Sequence, residues 1–406
     1  MEKPMTPHHK TGRAAIVLAV ATAALAIAFD SSAQEVGMRP GGPAAATTPA
    51  VVSPAVNEGK VTFRLRAAEA KAVSVSGDFG PDVVMSRDPE GVWSATVGPL
   101  KPDEYVYYFI VDGVRLPDPV NPQVKIGYVP TTTTSLVNVP GDGPQFYDVQ
   151  DVPHGEIRTL LYKSQSNKTT RELNVYLPPG YDASQRQRYP VLYLLHGFAN
   201  DHHSWHRYGR ANDILDNLLA TKAIKPFIVV MPLGYGGASV NGDGNGIPAA
   251  GAGAFGGDFA LYEQDILHDV IPLIDGKYRT LANRENRAII GFSMGGMQAG
   301  RVGLGHLDTF SYVGLMSAGI IGNPASAAVG PDPIAPLAAN PAATNKQLKL
   351  LWIACGVDDT AMVGARNTHE ALQKAGIQHV FVESEGAHHW RVWRRYLRDV
   401  APLLFR

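Results

Sequence analysis

Ser293 stands in Gly291-Phe292-Ser293-Met294-Gly295, with Gly296 next, directly after the apolar run Arg287-Ala288-Ile289-Ile290 and before a helical segment over 298–304. A hydroxyl held on a sharp strand-to-helix turn between glycines is placed to act as a nucleophile, because residues without a Cβ let the strained backbone pass its neighbours. The helix that begins there supplies backbone N–H groups and positive dipole potential where an oxyanion would form. Serine alone is too weak for this work. It needs a base and an acid that orients the base, following it along the chain as Asp or Glu and then His.

Both follow in that order. The acids after Ser293 are Asp308, Asp332, Asp358, Asp359, Glu370, Glu383 and Glu385. Only Asp358 and Asp359 come just past a strongly apolar run, through Gly356-Val357, where ligand chemistry collects in open parallel sheets. Spacing does not choose between them. His369 falls in a helical segment and His379 at a strand start, whereas His388 and His389 occupy the loop after the last strand, the place expected for the base. Leu194-Leu195-His196-Gly197-Phe198 closes another apolar run, so the main-chain N–H of Phe198 is expected beside that of Met294 as a pair of oxyanion donors.

These residues need a scaffold that brings strand ends together. From 145 to 406 apolar runs alternate with helical segments, predicting a mostly parallel sheet of eight strands with helices on both faces. The strands are expected at 156–162, 171–177, 191–195, 227–231, 288–290, 312–316, 348–354 and 380–382, the first two as an antiparallel pair. A stretch over 234–257 with ten glycines in 24 residues is expected to be a flap over the pocket. Residues 58–140 differ: short runs rich in β-branched and aromatic residues, at 61–66, 72–76, 92–97 and 105–111, alternate with turn clusters and predict a small all-β sandwich. Trp93, inside one of these runs, is expected in its core. The Pro-, Gly- and Ala-rich segment 34–57 carries few large apolar groups and is expected to be a flexible linker.

Lys3, Lys10 and Arg13 precede an apolar run over 14–29 and then Ser31-Ser32-Ala33, the layout of a cleavable signal peptide over 1–33 and of a periplasmic or secreted protein. That run is shorter than the roughly 20 residues that span a bilayer, so no membrane span is expected after cleavage, the alternative being an uncleaved amino-terminal anchor. With 36 basic and 37 acidic side chains the net charge is −1, which offers no global field for nucleic acid. The single cysteine, Cys355, excludes an intramolecular disulfide framework, and its apolar neighbours predict a core position.

Taken together, Tyr189-Pro190-Val191-Leu192-Tyr193-Leu194-Leu195-His196-Gly197, the Ser293 turn, Ile353-Ala354-Cys355-Gly356-Val357-Asp358-Asp359 and Glu385-Gly386-Ala387-His388-His389-Trp390 make residues from about 150 to 406 resemble the esterase D type α/β-hydrolases, among them bacterial feruloyl and acetyl-xylan esterases. The resemblance implies an α/β-hydrolase fold and a serine esterase acting through an acyl-enzyme on acylated polysaccharide or oligosaccharide. It selects Asp359 over Asp358 as the acid and His388 over His389 as the base, and it implies no cofactor. Ser76-Gly77-Asp78-Phe79, the turn at 88–93 and Tyr105-Val106-Tyr107-Tyr108-Phe109-Ile110-Val111-Asp112-Gly113 are similar to the immunoglobulin-type module related to glycogen-binding modules, which also precedes some of these esterases. Gly80-Pro81-Asp82-Val83-Val84-Met85 stands where the glucan-binding members carry a stacking tryptophan, so the module is expected to be a spacer or an accessory wall of the site.

Two alternatives share the residues. An acyltransferase of mycolyltransferase type would pass the acyl group to a sugar hydroxyl, and a non-catalytic carbohydrate-binding protein would use the fold as a scaffold; the complete Ser, Asp, His order argues against the latter. His196, His202, His203 and His206 crowd one stretch, but no cysteine and no carboxylate other than Asp201 completes a ligand set, so no metal is expected and the segment is read as a loop at the cleft mouth. Trp205, Tyr235 and Trp390 are the candidate substrate-binding side chains: with Phe255 they make either an aromatic slot for an aryl acyl group or, each of them, part of the packed interior.

Overall fold

The computed structural model describes residues 50–238, 258–321 and 332–406. The expected signal peptide, most of the expected linker and all but the first residues of the Gly-rich stretch, Phe255 included, lie outside the described residues. Residues Val51–Arg406 form one unit.

The all-β part consists of two sheets with a shared core. One sheet has four strands, including Lys60–Arg66 and Val92–Val97; the other is built on Val73–Gly77, Asp103–Val111 and Thr134–Val139. Along Asp103–Val111 every second residue from Tyr105 is buried, through Tyr107 and Phe109, and these rings meet Phe63 and Leu65 of the facing sheet. Period-two alternation thus puts one face of each sheet into a single apolar layer. Trp93 belongs to it, with Nε1 donating to the carbonyl of Ala67 at 2.9 Å.

The chain joins this sandwich earlier than the linker composition suggests. Ala55–Asn57 is a strand paired antiparallel with Lys60–Arg66, and Ser53 Oγ accepts the N–H of Arg64 at 3.0 Å. The reason is local: Glu58 and Gly59, at φ 48° and 75°, close a tight hairpin, and Val56 packs on the sandwich core. A three-residue strand carrying one apolar anchor leaves little trace in composition.

The second part is built on an eight-stranded sheet, here numbered β1 (Glu156–Ser164), β2 (Thr169–Leu177), β3 (Val191–Leu195), β4 (Ile228–Pro232), β5 (Arg287–Phe292), β6 (Tyr312–Met316), β7 (Leu350–Gly356) and β8 (Val380–Ser384). Their order is β1-β2-β4-β3-β5-β6-β7-β8; β2 runs antiparallel to both its neighbours and the other pairs are parallel. Strands β3 to β6 are buried along their whole length, as a sheet covered on both faces requires. Its two faces feed two separate apolar clusters, one around Val191, Ile289 and Ile353, the other around Leu192, Ile290 and Trp352. The strand order reverses at β3, between β4 and β5, so the crevice at the carboxyl ends of β3 and β5 is where this sheet leaves room for a ligand. Among the described residues no helix is long and apolar enough to cross a membrane.

Buried charge joins the two parts. Arg394, on the helix Trp390–Val400, is 1% exposed and donates through Nη2 to Asp103 Oδ1 at 2.6 Å and through Nη1 to the carbonyl of Tyr208 at 2.9 Å. Arg395 reaches the other oxygen of Asp103 at 2.8 Å, and Arg391 donates to the carbonyl of Asp78 at 2.8 Å. Beside them Tyr128 stacks on Tyr235, with centroids 4.7 Å apart, and its N–H bonds the carbonyl of Ala199 at 3.1 Å. The sandwich therefore grips both the C-terminal helix and the loop after β3.

Candidate active site

Ser293 sits between β5 and the helix Met294–Gly305 at φ 55°, ψ −120°, a conformation few L-residues adopt. The flanking glycines make it attainable. A Cβ on Gly291 would lie 2.3 Å from the carbonyl oxygen of Gly295, and one on Gly295 would lie 2.5 Å from that of His196, so strand, turn and helix pack backbone against backbone. The same closeness sets Gly197 against Ser293: a Cβ there would be 3.1 Å from the serine Cβ. Phe198 is the residue after Gly197, and Met294 is the first residue of a helix whose leading N–H groups lack intrahelical partners.

The loop after β8 carries His388 to this turn. His388 Nε2 lies 2.9 Å from Ser293 Oγ and His388 Nδ1 lies 2.8 Å from Asp359 Oδ1. Asp359 follows β7, is buried, and accepts the N–H of Ala361 at 2.8 Å through the same oxygen. Burial alone would raise its pKa; the hydrogen bond and charge of His388, with the N–H of Ala361 and the side chain of Ser317, outweigh that and hold it below the usual carboxylate value. Asp358 is exposed and points elsewhere, onto a separate cleft with Glu385 and Arg395 that contains neither Ser293 nor His388. Of the two acids that spacing left open, Asp359 is the one that meets the imidazole. With Nδ1 facing a carboxylate, Nε2 is the nitrogen left to accept from the serine hydroxyl.

A family model described as esterase matches residues 164–404. The chain belongs to this esterase family. The chain is 34% identical over 362 residues to an endo-1,4-beta-xylanase/feruloyl esterase of Xylanibacter ruminicola, a match that takes in 87% of this chain and 46% of that one. It therefore spans less than half the length of that curated relative. Among solved structures it is similar to a ferulic acid esterase, with 26% identity, a TM-score of 0.52, and coverage of 61% of this chain and 97% of the other. The fold is also shared with the enterobactin esterase of Shigella flexneri at 17% identity and a TM-score of 0.61. That likeness covers 84% of this chain and 92% of the other, more than residues 145–406 alone can supply, so it takes in part of the sandwich.

Among the described residues Trp205, Tyr235 and Trp390 do not line one open aromatic slot; Phe255, expected beside them, lies outside those residues. Trp205 is fully buried: the short helix Ser204–Arg207 folds its indole beneath the site, where Nε1 donates to the carbonyl of Leu195 at 2.9 Å and the ring meets Phe292 edge-on. Tyr235 is buried too, because Arg171 draws the start of the Gly-rich stretch inward by donating to the carbonyls of Leu233, Tyr235 and Ala238. Its hydroxyl donates to the carbonyl of Asn200 at 3.0 Å. Trp390 is 3% exposed and touches the cleft beside His388, with most of its ring packed on Trp205 and Phe292. In each case the large apolar ring found a partner in the layer between sheet and helix.

The histidine-rich segment also separates. His196 Nδ1 donates to the carbonyl of Gly197 and Nε2 accepts the N–H of Gly234, both at 2.8 Å, which ties the loop after β3 to the loop after β4. Burial pulls its pKa down to about 4. Glu172, His202 and His203 do meet, with ligand atoms within 4.8 Å of one another. Yet the Asn174 amide donates to the carbonyl of His202 at 3.0 Å and to His203 Nδ1 at 2.8 Å, so neutral His203 carries its proton on Nε2, facing Glu172, with no lone pair there for an ion. Cys355 is buried, and burial pushes its thiol up to about 12.

Sequence reasoning missed Trp393. Its indole stacks on Phe292 at 3.9 Å, lies nearly perpendicular to the His388 ring with centroids 5.1 Å apart, and donates through Nε1 to Ser317 Oγ at 2.9 Å. It fixes the imidazole from behind and ties Ser317, beside Asp359, to the same helix. The apolar spacing of Trp390, Trp393 and Leu397 signals a buried helix face, but nothing local marks which ring meets the histidine.

Proposed function

We propose that this protein is an exported serine carboxylic-ester hydrolase that removes feruloyl or acetyl groups from plant cell-wall polysaccharide. One observation carries the reading: the unbroken path from Ser293 Oγ through His388 to Asp359, with contacts of 2.9 and 2.8 Å, at the start of a helix. Ser293 attacks the ester carbonyl as His388 Nε2 takes its proton, and Asp359 stabilises the imidazolium that results. The N–H groups of Met294 and Phe198 receive the oxyanion, each donor of this kind contributing about a hundred- to a thousandfold in rate. The alcohol leaves with the proton from His388, and water activated by the same nitrogen releases the acid. The esterase family, the feruloyl esterase named in the Xylanibacter relative and the ferulic acid esterase structure support the acyl preference. The apolar run at 14–29 supports export.

Ser293→Ala tests the nucleophile. Turnover of 4-nitrophenyl acetate should fall by several orders of magnitude with the unfolding midpoint retained; unchanged turnover refutes the assignment. Initial rates on methyl ferulate against acetylated xylan then decide the acyl group.

A further inference from the structure

The wall of the cleft opposite His388 belongs to the sandwich. Asp78, Arg115, Lys125 and Thr134 face Phe198, His388 and Trp393 around a space of about 180 Å³. Lys125 lies on the short strand Val124–Lys125 and is only 8% exposed. A buried ammonium ordinarily has a carboxylate partner, because desolvating an unpaired charge is costly. Among the described residues Lys125 has neither an ion pair nor a hydrogen bond through Nζ; its contact is the face of Tyr208, 5.5 Å from Nζ to the ring centroid.

The charges around Lys125 do not cancel it. Asp78 and Asp201 attract it from beyond ion-pair distance, and Arg115, whose guanidinium stacks on Tyr108 at 3.6 Å, opposes it. Asp78 spends one oxygen on the N–H of Val106 at 3.2 Å, and burial lifts its pKa to about 6. Burial lowers that of Lys125 to about 8, so it is protonated at neutral pH. His389, lowered by burial to about 4, adds no charge. Two cations thus line this wall against one carboxylate.

We propose that Lys125 is a specificity residue of the ester-binding cleft, holding an anionic oxygen that the substrate carries near its scissile ester, so that carboxylate-bearing esters are preferred to their neutral counterparts. The inference rests on the esterase reading of Ser293 and says in addition what the sandwich contributes to that site. A structural role is the competing account: a lysine stem filling space over Tyr208, with its charge offset at a distance by Asp78 and Asp201.

Two matched pairs of esters separate these accounts and locate the charge. In 4-acetoxybenzoate against its methyl ester the carboxylate is on the leaving group; in mono(4-nitrophenyl) glutarate against 4-nitrophenyl pentanoate it is on the acyl group. After correction for alkaline hydrolysis rates, kcat/KM should favour the charged member of one pair by about tenfold, through KM. Lys125→Met should collapse that ratio toward one, and added salt should erode it in the unaltered protein, a readout that needs no variant to fold. No preference for the charged member in either pair overturns the proposal, as does a ratio that survives Lys125→Met or ignores salt. Loss of turnover on the neutral esters in Ser293→Ala reports separately on the nucleophile.

Discussion

Replacing Asp359 by asparagine separates charge from geometry at the orienting position. Oδ1 of Asp359 accepts from both Ala361 N–H and His388 Nδ1, each at 2.8 Å. Asparagine would turn its oxygen to those same two donors, since its NH2 group placed there would oppose donors in a buried site. His388 then keeps its proton on Nδ1 and still presents Nε2 to Ser293. What disappears is a negative charge opposite the imidazolium that forms during attack. At about 4 Å between charge centres and an effective dielectric of about 20, that attraction is ~4 kcal/mol, or about three orders of magnitude in rate. Because the imidazolium exists only after proton transfer, the loss belongs to kcat and leaves KM nearly unchanged. Asp358→Asn is the control: the residue is exposed and remote from the imidazole, and turnover should stay within about threefold. Steady-state kinetics on 4-nitrophenyl acetate, with thermal unfolding of each variant, make the measurement. Retention of more than a tenth of kcat in Asp359→Asn would refute the charge argument, and a larger loss in Asp358→Asn would refute the placement.

Asp103→Ala should destabilise the protein by about 3 kcal/mol, the usual result of leaving a buried partner charge behind; a thermal midpoint unmoved by more than a degree would contradict this. Lys101→Ala should leave the midpoint where it was, since Lys101 and its partner Glu385 are 78% and 87% exposed. Burial lowers His196, His202, His206 and His389 to about 4, below the ordinary value of 6.5. The unfolded chain binds more protons between those limits, so stability should fall as pH drops from about 6.5 to 4; a midpoint constant across that window would exclude the effect. Cys355 should react with a thiol reagent only after denaturant is added, and labelling of the native protein would show that the strand opens.

The legible parts of this chain were those whose signal is local. The strands β3 and β6 coincide with uninterrupted apolar runs at 191–195 and 312–316, and the Ser293 turn announces itself through glycines that the backbone contacts at Gly291 and Gly295 require. Helix Met294–Gly305 starts four residues before the segment read as helical, because its first turn is glycine-rich and propensity there is overridden by packing on β3 and β6. Illegible parts depended on distant partners. Trp205, Tyr235 and Trp390 looked like a surface slot because an indole or phenol carries no mark of which side it faces; carbonyls of Leu195 and Asn200 settled the first two. Lys125 was one cation among 36 basic residues, and only the approach of the sandwich to a loop more than seventy residues downstream gives it a context.

The guanidinium of Arg394 has a consequence for protein engineering. It is sunk one residue after Trp393, the ring that backs the histidine, and Asp103 of the sandwich holds it there. A chain trimmed to begin at β1 would carry a stranded cation in the very helix whose indole meets His388. Transplanting a foreign amino-terminal cassette would do the same unless it brought an acid to that spot, so truncation should impair turnover as well as solubility, and grafts must be designed around the acid at 103.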